Sequence, residues 1–173
     1  MNSGRDAADV ERQIGRPPRG RWRVALRCSY GRPRVIEVAP VLEDGSPFPT
    51  TLWLTCPWLA GAVSDVESLG RAAEWAGMLS ADPDLAAAAG AADDDYRRLR
   101  ASLADGADPC AGVGTAGQAD PLAVKCLHAR VAAALGGIAD PVGLGVLASL
   151  GQDGFAAECP ERRCEAVRGA SRA

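Results

Sequence analysis

The chain has 173 residues, 47% of them hydrophobic but only 5% aromatic, and a formal net charge of −3. That is enough for one compact domain with a core of small aliphatic side chains, and too little for two. The first 30 residues hold no uninterrupted apolar run, so no secretory signal or membrane anchor is expected there, and a cytoplasmic location is.

Charge is distributed unevenly. Residues 1–34 carry nine arginines against three acids, so the remainder is near −9. Residues 1–20 are therefore read as a basic, partly disordered arm that docks in part on an acidic body, followed by a single domain over 21–155 and a cysteine-bearing tail over 156–173. Arg16, Arg19, Arg21 and Arg23 lack interleaved aromatics apart from Trp22, which disfavours nucleic acid and leaves an anionic partner as the reading for such an arm. In a reducing compartment the six cysteines are expected as thiols, ligands or catalytic groups rather than a disulfide framework.

In chain order, residues 6–14 predict a short helix stopping before Gly15 and the Pro17-Pro18 pair. From Trp22 the sequence alternates, placing Trp22, Val24, Leu26 and Cys28 on one face of a half-buried strand. Ser29 to Pro33 reads as a turn, Arg34 to Ala39 as a returning strand, and Thr51 to Cys56 as a third strand after the Asp44-Gly45 turn. An antiparallel meander of this kind brings Cys28 and Cys56 to the same end of the sheet. Cys56-Pro57 opens a helix to about Leu69, Trp75 to Leu79 belong to a shorter one, and Asp82-Pro83-Asp84 opens a long amphipathic helix. The Asp93-Asp94-Asp95 run on that helix is read as a solvated face. Residues 104–121 form a long glycine-, alanine- and aspartate-rich loop, Leu122 to Leu135 a helix closed by Gly136-Gly137, and Asp140-Pro141 caps a last helix to about Leu150. The fold class is α+β: a small antiparallel three-stranded meander followed by a bundle of about four to five helices.

Chemistry concentrates on Val124-Lys125-Cys126-Leu127-His128, which holds the only lysine and the only histidine of the chain. Zinc takes four thiolate or imidazole ligands, and Cys28, Cys56, Cys126 and His128 form a candidate set that depends on tertiary convergence. In mid-helix, residues two apart face away from each other, so Cys126 and His128 can act together only if a helix begins near Cys126. A thiol nucleophile is the alternative, with Cys56 at a helix N-terminus and His128 as base, although no acid or amide is identifiable in the sequence to orient that imidazole. Gly112 and Gly114, with Lys125 beyond them, form a candidate anion site that lacks the Gly-Lys-Ser/Thr ending of a nucleotide-binding loop.

Four separated motifs, Arg27-Cys28 with Gly31 and Pro33, Asp44 to Thr50 running into Trp53 to Pro57, Val124 to His128, and Asp140 to Gly143, resemble the DUF501 family in matching order. The resemblance implies a bacterial, largely actinobacterial family of unassigned reaction. Its members' gene context, near a septum-formation protein, enolase and an exopolyphosphatase-like phosphatase, implies a partner in cell division or phosphate metabolism. Cys110, Cys159 and Cys164 lie outside the matching motifs.

Three functional readings stand on these residues. The first is zinc binding through Cys28, Cys56 and one or both of Cys126 and His128, in a structural or regulatory role without a membrane partner. The second is an enzyme acting on a small phosphorylated or acyl substrate with Lys125 as anion clamp. The third is an interaction module that uses the arginine-rich arm on an anionic partner.

Overall fold

The computed structural model describes residues 4–151, so the tail with Cys159 and Cys164 lies outside the described residues. Its elements are helix α1 (Gly4–Ile14), strands β1 (Trp22–Arg27), β2 (Pro33–Val38) and β3 (Leu52–Leu54), and helices α2 (Pro57–Ser68), α3 (Arg71–Ala81), α4 (Pro83–Leu103), α5 (Leu127–Leu135) and α6 (Pro141–Ser149). The strands form one antiparallel sheet in the order β1-β2-β3, and the fold is α+β with the sheet preceding the bundle, as the sequence predicts.

Alternation along β2 splits its side chains between two apolar clusters. Val35 joins the main core with the helices behind the sheet, while Ile36 and Val38 face the other way and pack with Val10 of α1. Strand β1 does not keep the single face that its sequence predicts: Trp22 packs in the α1 cluster but Leu26 in the main core. Register shifts on either side of Leu26 are the cause, because an extra residue in the ladder turns every later side chain to the opposite face.

The first helix adheres to the sheet through charge as well as Val10. Asp6 and Asp9 are buried, and they accept from Arg27 (2.7 and 3.0 Å) and Arg32 (2.5 Å) respectively. Along α1 the arm supplies the acids, and β1 and the β1–β2 turn supply the arginines, while Arg19 of the arm lies 3.7 Å from an acid of the body, Asp44. Arg21 of the same N-terminal region does reach an acid of the body, Asp105, at 2.6 Å.

Small residues set the spacing of the bundle. Helix α5 is buried nearly all round, with Ala129, Ala132, Ala133 and Ala134 all shielded, and α6 lies directly against it. At Gly143 a Cβ would fall 2.1 Å from the Arg130 carbonyl, so only glycine permits this approach. Helix α4 is tied to the sheet by Tyr96, whose buried hydroxyl accepts from the backbone N–H of Thr51 (2.8 Å) and Leu52 (3.2 Å).

Two sequence expectations fail in the bundle, and buried charge explains both. Asp93 is not on a solvated face: it is fully buried, 3.5 Å from Arg130, whose guanidinium also donates to Asp140 at 3.1 Å. Asp94 and Asp95 do face solvent and pair with Arg97 and Arg98. The expected helix over Leu122–Leu135 begins only at Leu127, because Arg130 also donates to the carbonyls of Pro121 and Ala123, both at 3.1 Å. Those two carbonyls are drawn into the core by the guanidinium, which holds residues 121–126 in a non-helical path.

Arg100 plays the corresponding part at the start of the long loop. It is fully buried and donates to Asp108 (2.7 Å), the Cys110 carbonyl (2.5 Å) and the Val113 carbonyl (2.6 Å). A loop with almost no apolar side chains is thereby ordered by two arginines that satisfy its carbonyls. Replacing Arg130 by methionine leaves Asp93 and Asp140 as buried carboxylates without a cation. Urea unfolding of Arg130→Met is expected to show a loss of about 3–5 kcal/mol, whereas Arg98→Met, at an exposed pair, changes little.

Candidate metal centre

Because α5 begins at Leu127, Cys126 is its N-cap residue, in an extended conformation with φ −147° and ψ 115°. Cys126 and His128 therefore do not lie on opposite sides of one helix, and the Cys126 Sγ stands 3.9 Å from His128 Nδ1. A third side chain, absent from the sequence reading, joins them. Glu67 near the end of α2 places Oε2 3.4 Å from the same Nδ1. The ligand atoms of Glu67, Cys126 and His128 all lie within 4.8 Å of one another.

Each of the three is held in place by its own element. Glu67 Oε1 accepts the Leu127 N–H at 2.7 Å, so this carboxylate caps α5 where Cys126 makes no side-chain cap bond. His128 Nε2 lies 3.1 Å from the Ala60 carbonyl and 3.1 Å from Ser64 Oγ, two turns and one turn back from Glu67 along α2. A carbonyl can only accept, so Nε2 carries the hydrogen and Nδ1 presents its lone pair to Cys126 and Glu67.

The Cys126 thiol and the His128 imidazole shift toward each other. Burial pushes the Cys126 thiol up, but the hydrogen bond with His128 and the Ala129 N–H outweigh it and leave the thiol below its ordinary range. His128 is raised, chiefly by the hydrogen bond with Cys126 and against the effect of burial. Cys110 goes the opposite way: burial beside Asp108 pushes its thiol up, with Arg100 opposing.

The other residues singled out in the sequence lie apart from this group. Cys28 sits in the β1–β2 turn, donating its N–H to the Arg32 carbonyl at 2.9 Å, and Cys56 caps α2. Both are at the predicted end of the sheet, yet β2 runs between their strands, which separates them by two strand spacings, about 9.5 Å. Neither belongs to the converging group, which among the described residues comprises Glu67, Cys126 and His128.

The glycine loop serves an internal anion. The Thr115 N–H donates to Asp93 Oδ1 at 3.1 Å, the Gly114 N–H donates to the Gln118 carbonyl, and a Cβ on Gly114 would lie 2.1 Å from Asp93 Oδ2. Gly114 is thus spent on packing against a buried carboxylate, while Gly112 and Lys125 are exposed.

A family model described as protein of unknown function (DUF501) matches residues 24–148. The chain belongs to the DUF501 family. The match runs from within β1 to within α6 and takes in all three converging side chains of this DUF501 member. No curated protein matches the chain, and neither does any solved structure. Among the described residues no helix is long and apolar enough to cross a membrane.

Sequence reasoning missed Glu67. The one available signal was the α2 stripe Ala60, Ser64 and Glu67, spaced four and three apart and so on one helix face, but nothing in it points to a partner 60 residues away. The thiol shifts lead to a measurable difference. In the metal-free protein, alkylation of Cys126 by iodoacetamide is expected to rise at lower pH than that of Cys110, since the thiolate is the reactive form. In His128→Gln the Cys126 profile should move to higher pH, as peptide mapping of the labelled sites would show.

Proposed function

We propose that this protein binds a divalent transition metal, zinc foremost, through Cys126 Sγ, His128 Nδ1 and Glu67 Oε2. The observation that carries the reading is that thiol and carboxylate face the same imidazole nitrogen while the opposite nitrogen is held by the Ala60 carbonyl. Donation of the far N–H to a carbonyl is the usual support of a metal-bound histidine. In a thiol–imidazole relay, by contrast, the orienting acid sits on the nitrogen opposite the nucleophile.

The spacing agrees. Zinc bonds of about 2.3 Å to sulfur and about 2.0–2.1 Å to nitrogen and oxygen, arranged tetrahedrally, separate S from N by about 3.5 Å and N from O by about 3.3 Å. The separations here are 3.9 and 3.4 Å, and all three ligand atoms lie within 4.8 Å of one another, so the thiol has to move inward to reach a zinc held by His128 and Glu67. His128 and Glu67 keep 28% and 32% of their side-chain surface exposed, which leaves the fourth corner open. Three protein ligands with one open position characterise sites that exchange a ligand, whereas purely structural sites are closed by four.

A cytoplasmic setting suits a thiolate ligand, since thiols are kept reduced there, and none of Cys28, Cys56, Cys110 and Cys126 is in a disulfide. Competition with a chromophoric chelator should give one zinc per chain. Cys126→Ser and His128→Gln should abolish tight binding, Glu67→Gln should weaken it, and Cys28→Ser should leave it unchanged. Zinc at a hundred times its Kd should also raise unfolding stability by about 2.7 kcal/mol in the wild type and not in Cys126→Ser. Equal zinc uptake by wild type and all three ligand variants would sink the assignment.

A further inference from the structure

Cys126 and His128 of the centre also line a cleft of about 190 Å³, together with Thr50, the β3 residues Leu52, Trp53 and Leu54, and Ala129. Strand β3 is an edge of the sheet. The bonds from the Val38 N–H to the Thr51 carbonyl and from the Thr55 N–H to the Arg34 carbonyl make 51, 53 and 55 the positions that face β2. In an antiparallel ladder the intervening residues turn their backbone groups the other way. Leu52 and Leu54 therefore present theirs along the outer edge, and the Leu52 N–H is there taken by the Tyr96 hydroxyl. Leu52 is fully buried, so what remains directed outward beside the centre is the backbone N–H and carbonyl of Leu54.

Charge narrows the occupant further. No lysine, arginine, aspartate or glutamate lines this cleft. A divalent zinc with a thiolate, a carboxylate and a neutral imidazole sums to zero, so neither the walls nor the loaded metal would draw a phosphorylated substrate. An uncharged carbonyl compound with its own alternating donors and acceptors fits both the neutral centre and the edge strand.

We propose that the cleft takes the backbone of an extended peptide, added as a further strand along the outer edge of β3, with one peptide carbonyl directed at the open position of the metal. Edge-strand addition of this kind draws affinity from main-chain hydrogen bonds and leaves flanking side chains to set selectivity. The proposal rests on the metal reading above and names the ligand class for that centre.

Calorimetry on the zinc-loaded full chain tests it with three probes: acetohydroxamate, acetyl-trialanine hydroxamate, and the latter with its peptide nitrogens methylated. All three offer the same metal-binding head. The peptide hydroxamate is expected to bind at least about tenfold tighter than acetohydroxamate, the factor that two backbone hydrogen bonds supply, and methylation should erase the gain. Equal affinity of the first two probes overturns the peptide assignment while leaving the metal centre standing, and so does a gain that survives methylation, which reports apolar contact alone. Failure of the wild-type chain to take up zinc overturns the centre and the peptide proposal together.

Discussion

The buried guanidinium of Arg130 is the interaction on which the rest of this structure depends. It stands between Asp93 of α4 and Asp140 at the cap of α6, and its remaining hydrogen bonds go to the carbonyls of Pro121 and Ala123. One side chain thus joins three helices and the end of the long loop. By holding residues 121–126 out of helical conformation it also decides where α5 starts, and so that Cys126 is an N-cap residue rather than a point on a helix wall.

Such a network has a cost. Two carboxylates and one guanidinium, each no more than 1% exposed, leave an excess of negative charge in the core. The Asp140 carboxyl is accordingly pushed up by burial, with Arg130 opposing. Buried ion pairs of this kind contribute less to stability than their Coulomb energy implies, because desolvation offsets most of it. What they do provide here is register: the glycine- and alanine-rich segment from 104 to 126 has little apolar surface to bury, and Arg100 and Arg130 give its carbonyls defined partners at each end. Gly114 and Gly143 matter for the same reason, since each lets backbone come against this charged core at a distance no Cβ would tolerate.

The candidate centre is downstream of that arrangement. Helix α2 supplies Glu67, Ser64 and the Ala60 carbonyl from one face, and α5 supplies Cys126 and His128 from its first turn. The carboxylate of Glu67 links the two helices by capping α5 with one oxygen and facing His128 with the other. Helix capping and site assembly are therefore one event, and a change that displaced the start of α5 would disturb both.

Much of the fold was legible from local pattern. Alternation marked the strands, Pro57, Pro83 and Pro141 marked three helix starts, and Asp82 and Asp140 are caps whose carboxylates accept from the helix N–H groups that follow them. These are short-range rules, in which a residue's conformation is set by neighbours within one turn or one strand pair. The Cys126–His128 pair was visible for the same reason, being two residues apart, and so was the condition under which the two can act together. Chain pattern could not show that Asp93 turns inward or that a bulge sends Leu26 to the opposite face from Trp22. Nor could it show that the third member of the site is Glu67. The placements of Asp93 and Glu67 depend on which charged or polar groups meet across tens of residues of chain, and that pairing exists only once the helices have packed.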